Sequence, residues 1–188
     1  MSIAEWELTF SAVLGQSRRW DAFRLIANDL IARRRPLYIV ETGCARLADN
    51  WHGDGQSTLV WDWLLTKQGG EGWAFDIDET ATRYAASRVS RMKIAQVDSI
   101  IGLRTTAEVG KIDFLYLDSF DLVDGTDSPT HHLAELTSVY PQLPSGCLIA
   151  VDDCVDEEYG KHRFVRDWLS SLGIEPVLKS YVTVWRKP

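Results

Sequence analysis

Two segments of the chain, residues 115–121 and 148–154, are apolar runs that end abruptly in aspartate: Leu117-Asp118 in the first, Val151-Asp152-Asp153 in the second. Strands buried on both faces of a parallel sheet read as continuous apolar runs. Ligands of open parallel sheets bind just beyond the carboxyl ends of those strands. Asp118, Asp152 and Asp153 are therefore expected to project into one cleft. Three converging carboxylates suit a hard divalent cation such as Mg²⁺. A hydroxyl bound to such an ion loses its proton readily and is held in place. That chemistry would select a small molecule with two neighbouring oxygens, a diol or a catechol. Loop solvation with helix capping is the plainer reading of Asp152-Asp153.

Other strand ends carry related chemistry. Leu37-Tyr38-Ile39-Val40 leads into Glu41-Thr42-Gly43-Cys44-Ala45. Glycine there permits a sharp turn and a close approach of backbone to ligand, and the acid suits a cationic ligand. Trp73-Ala74-Phe75 ends at Asp76, where a carboxylate can accept both hydroxyls of a ribose; Asp78 suits the cap of the next helix. Asp98-Ser99, after a third short strand, could meet an adenine edge or cap a helix. There is no GxGxxG and no GxxxxGK[ST], which disfavours a dinucleotide or nucleotide-phosphate site.

These strand ends need an α/β framework to bring them together. Residues 4–14 and 18–34 have helical patterns and lead into the core. Strands are expected at 37–40, 73–75, 93–97, 112–117 and 146–151, alternating with helices, and two closely linked last strands at 174–179 and 181–186. Ser57 suits an N-cap, as does Ser128 followed by Pro129, and a helix of about ten residues should precede Gly110. Alternation of this kind is the α/β signature. The expected organisation is one domain, 1–188, with N-terminal helices in 1–35 and a Rossmann-like core in 36–188.

The bulk composition narrows the partners. With 45% hydrophobic and 25% charged residues the 188-residue chain is globular. A net charge of −7 argues against nucleic acid. The basic run Arg33-Arg34-Arg35 closes an amphipathic stretch, where cations complement a helix dipole. Three unpaired cysteines (Cys44, Cys147, Cys154), no apolar run of roughly 18 residues and no N-terminal leader pattern lead to the expectation of a soluble cytoplasmic protein with no membrane partner. Trp51 is the one tryptophan expected outside the core.

The ordered series Glu41-Thr42-Gly43, Asp76, Asp98-Ser99, residues 113–118 and Val151-Asp152-Asp153 resembles the class I S-adenosylmethionine-dependent methyltransferases. Within them it is most similar to the metal-dependent O-methyltransferases of the macrocin and catechol types, and residues 131–153 carry the macrocin likeness. The resemblance covers about 37–188. It implies a doubly wound, Rossmann-like sheet of seven strands, mostly parallel with an antiparallel last strand. It implies S-adenosylmethionine as cofactor, with Glu41 and Gly43 at its methionine end and Asp76 on its ribose. It implies Mg²⁺ or a similar ion on Asp118, Asp152 and Asp153. The full cofactor set on this reading is Glu41, Gly43, Cys44, Asp76, Asp98, Ser99 and Asp118.

Two departures from the family pattern stand out. Ala45 replaces the usual second glycine, and Gly53 and Gly55 in the long loop that follows could take over its work. Asp121 stands where the catechol type has a lysine base. His131 and His132 open a helix, whose dipole keeps an imidazole neutral, and with Asp118 they are the candidate catalytic groups. The leading expectation is O-methylation of a small polyhydroxylated molecule. The alternatives are a metal-independent N-methyltransferase and a cofactor-binding subunit without catalysis; a homodimer could complete the cleft.

Overall fold

The computed structural model describes residues 1–106, 111–123 and 127–188. Among them, Leu37–Thr42 (β1), Gly70–Asp76 (β2), Met92–Gln96 (β3), Phe114–Leu117 (β4), Leu148–Val151 (β5) and Thr183–Arg186 (β6) form a six-stranded sheet in the order β3-β2-β1-β4-β5-β6. Neighbours run parallel except β6, which lies antiparallel to β5 with Val184 opposite Ala150.

Side chains of a strand alternate between the two faces of its sheet, and here both faces are covered. Leu37, Ile39, Ala74, Phe114, Tyr116, Leu148 and Ala150 point into one core. Helices α1 (Ile3–Leu14), α2 (Trp20–Ala32) and α3 (Ser57–Gln68) close it with Trp6, Phe23, Ile26 and Trp61. Tyr38, Val40, Leu115, Leu117, Ile149 and Val151 point into the other core. Helices α5 (Ser99–Thr105), α6 (Ser128–Val139) and α7 (Arg163–Ser171) cover that face with Leu103, Leu136, Val139, Val165 and Leu169. Helix α4 (Glu79–Ala86) packs beside β2 and β3. Burial on both sides is why these strands read as unbroken apolar runs. Trp51 also joins the first core at its edge, 6.1 Å from the Phe10 ring.

The sheet has six strands, where seven were expected. Residues 174–179 pair with the rest of the chain through a single bridge, Leu178 opposite Val184. Pro176 has no amide to donate, and the chain turns back at Ser180, whose hydroxyl donates to the Val182 carbonyl at 2.8 Å. Too little length remains for a ladder. Two helix starts also differ. Gln56, not Ser57, stands at the N-cap position of α3, in a left-handed conformation with φ 52° and without a side-chain capping bond. Asp127, not Ser128, stands at that of α6, also without a side-chain capping bond, and the Ser128 hydroxyl donates to the Phe120 carbonyl. The expected helix before Gly110 is helical over Ser99–Thr105; Gly110 itself lies outside the described residues.

The neighbours β1 and β4 diverge in chain direction of winding, so a crevice opens beyond their carboxyl ends. Gly43 sits at that point with φ +79°, its amide donating to the Phe75 carbonyl at 2.7 Å. A Cβ there would lie 2.4 Å from the Asp118 carbonyl oxygen. Only glycine lets the two strand exits come this close.

Candidate active site

A cleft with two adjoining lobes, about 450 Å³ and 520 Å³, lies at these strand ends; Arg46, Asp54, Asp78 and Asp118 line both. The first lobe is bounded by Gly43, Cys44, Asp76, Ile77, Ser119 and Phe120. The second reaches Arg19, Asn50 and Asp153. The expected residues Gly43, Cys44, Asp76 and Asp118 thus share one cavity.

Asp76 is partly buried. Its Oδ2 accepts the Cys44 amide at 3.2 Å, and its Oδ1 accepts the Asp78 amide at 2.9 Å. The carboxylate is held rigid by backbone on both sides while still lining the cavity. Burial raises the Cys44 thiol above its ordinary value, with Asp76 adding to the effect, so this sulfur stays protonated. Asp78 caps α4 as expected, accepting the Ala81 amide at 2.8 Å.

Glu41 differs from its expected place. It is buried, the Ser57 hydroxyl donates to its Oε1, and burial pushes its carboxyl up to about 8. It supports the cavity floor through Ser57, which lines the first lobe. Ala45 offers the ligand nothing: it is buried and its amide donates to Thr58 Oγ1 at 2.9 Å. Both loop glycines, expected to take over the work of the missing second glycine, pack against Arg19, and Gly53 also lines the second lobe. Gly53 gives its carbonyl to Arg19 Nη1 at 2.8 Å, and a Cβ on Gly55 would meet Arg19 Cδ at 2.6 Å.

Asp98 caps α5, accepting the Ile101 amide at 3.1 Å. Ser99 is buried with its hydroxyl 3.0 Å from His131 Nε2. His131 in turn lies 3.3 Å from Glu135, a buried acid that also accepts from Thr42 Oγ1 at 3.2 Å and from the Ser119 hydroxyl. Glu135 therefore ties together the exits of β1, β3 and β4. The hydrogen bond to Glu135 raises His131 above its usual value, against the effect of burial. His132 is buried, Nδ1 2.7 Å from the Ser128 carbonyl, and burial lowers it to about 4. His132 stays neutral as expected, but it is fully buried, away from the cleft lining. His131 departs from the expectation, being engaged by Glu135 and Ser99, with Glu135 favouring its charged form.

The metal expectation is also corrected. Asp118 and Asp153 do converge, but on Lys161: the ammonium contacts Asp118 Oδ1 and lies 3.0 Å from Asp153 Oδ2, and its side chain is 1% exposed. Asp152 is saturated. Its Oδ2 accepts Arg19 Nε and the Tyr116 hydroxyl, each at 2.6 Å, and its Oδ1 accepts the Asp153 amide at 2.7 Å. Asp153 Oδ1 accepts from the Tyr181 hydroxyl and lies 3.5 Å from Arg19 Nη2. No group of three or more metal-ligating side chains open to an ion occurs among the described residues. The donor set does not fit a divalent ion, because two resident cations already hold it.

These contacts set the charges. Burial would lower the Lys161 ammonium, yet the attraction of Asp118, Asp153 and Asp152 outweighs it and holds Lys161 above its ordinary value. Arg19 is held up in the same way by Asp152 against its own desolvation. Burial pushes Asp118 up, while Asp153 is held low by Lys161 and Tyr181 in spite of burial. Of the three carboxylates, Asp118 is the one that lines both lobes of the cleft.

A scan of family models gives no match, and neither does a search of curated proteins. Solved structures do match. The O-methyltransferase NovP superposes with a TM-score of 0.62 at 15% identity, covering 90% of this chain and 79% of NovP. The N-methyltransferase NodS from Bradyrhizobium japonicum WM9, in complex with S-adenosyl-L-homocysteine, gives 0.59 at 14% identity, covering 93% of this chain and 90% of NodS. This chain has the class I methyltransferase fold. A methyltransferase from Geobacter sulfurreducens matches at 0.51 and 14% identity, over 89% of this chain and 79% of that one.

Within that fold, Arg19, Lys161 and Glu135 were missed by sequence reasoning. Glu135 left a trace: it sits on the buried stripe of α6 with His132, Leu136 and Val139, an odd place for an acid unless it is paired. Arg19 and Lys161 left none, since nothing local marks which cation will meet a distant carboxylate. Among the described residues no helix is long and apolar enough to cross a membrane. Cys44, Cys147 and Cys154 are all free thiols.

Proposed function

We propose that this protein is an S-adenosylmethionine-dependent methyltransferase acting on a hydroxyl or amine of a small molecule. The single observation that carries the reading is the first lobe of the cleft. Gly43 there is pressed against the Asp118 carbonyl with no room for a side chain, and Asp76 is fixed by two backbone amides. Both stand at the crevice of a methyltransferase fold. Asp76 suits the two hydroxyls of a ribose, because a carboxylate can accept both. Ile77 and Phe120 are exposed apolar side chains on the same lobe, suited to the faces of a purine. Asp54, Asp76, Asp78, Asp118 and Asp121 face the lobe against Arg46 alone, and that excess of negative charge favours a sulfonium.

When bound, the cofactor supplies a methyl group on positive sulfur, open to in-line displacement. The residues of this chain orient the partners and take up the acceptor's proton. Asp118, at the junction of both lobes, is the group placed to receive it. The fold accommodates O- and N-methyltransferases alike, so the acceptor atom follows from the second lobe. Arg19, Arg46 and Asn50 there favour a polar molecule.

Calorimetry with S-adenosylhomocysteine tests the reading. The wild-type protein should bind it, and Asp76→Ala should weaken binding by about 2–3 kcal/mol, the worth of hydrogen bonds to a charged group. Absence of wild-type binding would overturn the proposal.

A further inference from the structure

We propose that Lys161 takes the place of a divalent cation in this site: its ammonium holds Asp118 and Asp153 as a metal would, and leaves one Asp118 oxygen to meet the acceptor. Cation occupancy stands on geometry alone, whereas the role in methyl transfer rests on the function proposed above.

The chain is built to deliver this lysine. After β5 it loops out and returns through a bridge between Cys154 and Gly160. Asp156 closes the turn, its Oδ1 accepting the amides of Glu158 at 2.8 Å and Tyr159 at 2.7 Å. A Cβ on Gly160 would lie 3.0 Å from the Cys154 Cα and 2.7 Å from His162 Nδ1, so the return needs glycine. The Lys161 amide then donates to the Asp153 carbonyl at 3.3 Å, and the side chain runs inward, buried to its tip.

Counting oxygens shows what remains. Both oxygens of Asp152 are used by Arg19, Tyr116 and the Asp153 amide. Asp153 gives one oxygen to Tyr181 and the other to Lys161. Asp118 gives Oδ1 to Lys161. A divalent ion on these carboxylates would need ligand distances of about 2.0–2.6 Å, so it would have to occupy the space of the ammonium itself. Beside Arg19 and Lys161 it would also meet like charge. With Lys161 in place, Asp118 Oδ2 is the oxygen left for the cleft. In the reaction the acceptor's lone pair forms the bond to the methyl carbon. The carbon–sulfur bond breaks with its electron pair remaining on sulfur, and the acceptor's proton passes to Asp118. Lys161 is a positioning residue, acting through Asp118.

Removing the lysine should open the place it fills. Titration with Mn²⁺, followed by electron paramagnetic resonance, is expected to show no binding to the wild-type protein at millimolar metal. EDTA should leave its affinity for S-adenosylhomocysteine unchanged. Lys161→Ala should bind Mn²⁺ at least roughly tenfold more tightly than wild type, a difference of about 1.4 kcal/mol, and Lys161→Ala combined with Asp118→Asn should lose that gain. Lys161→Arg, which keeps the charge, should stay metal-free. If Lys161→Ala does not fold, Lys161→Gln, closer in length to lysine, carries the same test. Stoichiometric Mn²⁺ binding by the wild type that Asp118→Asn abolishes would overturn the proposal, and so would a folded lysine variant with no gain in binding. Failure of the wild type to bind S-adenosylhomocysteine would instead overturn the methyltransferase reading and leave the cation result intact.

Discussion

The two ends of the sheet each carry a cluster of acids and bases around a buried aspartate, Asp113 at one and Asp152 at the other, built to opposite balances. At the amino-terminal end Asp113 meets Arg33 at 2.7 Å and Arg35 at 3.0 Å, and accepts the Tyr38 amide at 2.9 Å. Arg33 also donates to the Gly146 carbonyl at 2.8 Å. One carboxylate there has two guanidiniums. At the carboxyl-terminal end Asp118, Asp152 and Asp153 share Lys161 and Arg19. Positive charge exceeds negative around Asp113, and negative exceeds positive around Asp118. The first arrangement clamps α2 to the strands. The second holds its carboxylates beside the cleft, with Asp118 lining both lobes.

This contrast predicts where mutations will be felt. Asp113→Ala should have the largest effect on folding, because it removes the acceptor of the buried Tyr38 amide and the shared anchor of Arg33 and Arg35, although Arg33 keeps Asp29 at 3.0 Å. A loss of about 1–3 kcal/mol is expected in urea denaturation, with the affinity of the folded protein for S-adenosylhomocysteine unchanged. A matching fall in affinity would break the division between the two ends.

Glu41 sharpens it from the other side. Its carboxyl keeps a proton in the folded protein up to about pH 8 but releases it near 4.5 when unfolded. Its contribution to stability is therefore complete below pH 4.5 and declines as the pH rises through about 8. Glu41→Gln, which never ionises, should gain stability relative to wild type across that window, as read from thermal melts over a pH series. A constant difference would refute the buried, protonated acid. The smallest effect belongs to the exposed pair at the cleft mouth. Arg46 lies 2.9 Å from Asp121 with both side chains about half exposed, so Arg46→Ala should change unfolding stability by no more than about 1 kcal/mol.

Much of the framework was legible in the chain. The apolar runs ending in acids placed β1, β2, β4 and β5 and their crevice, because strand burial writes itself into consecutive residues. The positions of Asp76 and Gly43 at the cleft followed from the same logic, as did the cap by Asp78. The last strands were less legible. The apolar character of 174–179 says nothing of the turn at Ser180, which leaves one bridge where a ladder was expected. The histidines misled for a related reason. The position of His131 and His132 at a helix start was visible, but Glu135 and full burial, not the helix dipole, set their charges in opposite directions.

By itself, the order of residues determined the alternation of strand and helix and the gathering of acids at one end of the sheet, since both depend on short-range periodicity. Only the tertiary structure decided what those acids meet. Arg19 reaches Asp152 across 133 positions and Lys161 reaches Asp118 across 43. Charge pairing acts through space, and in a chain rich in both signs no local pattern names the partner. The same three aspartates that suit a metal ion when read in sequence are, once folded, the counterions of a lysine and an arginine.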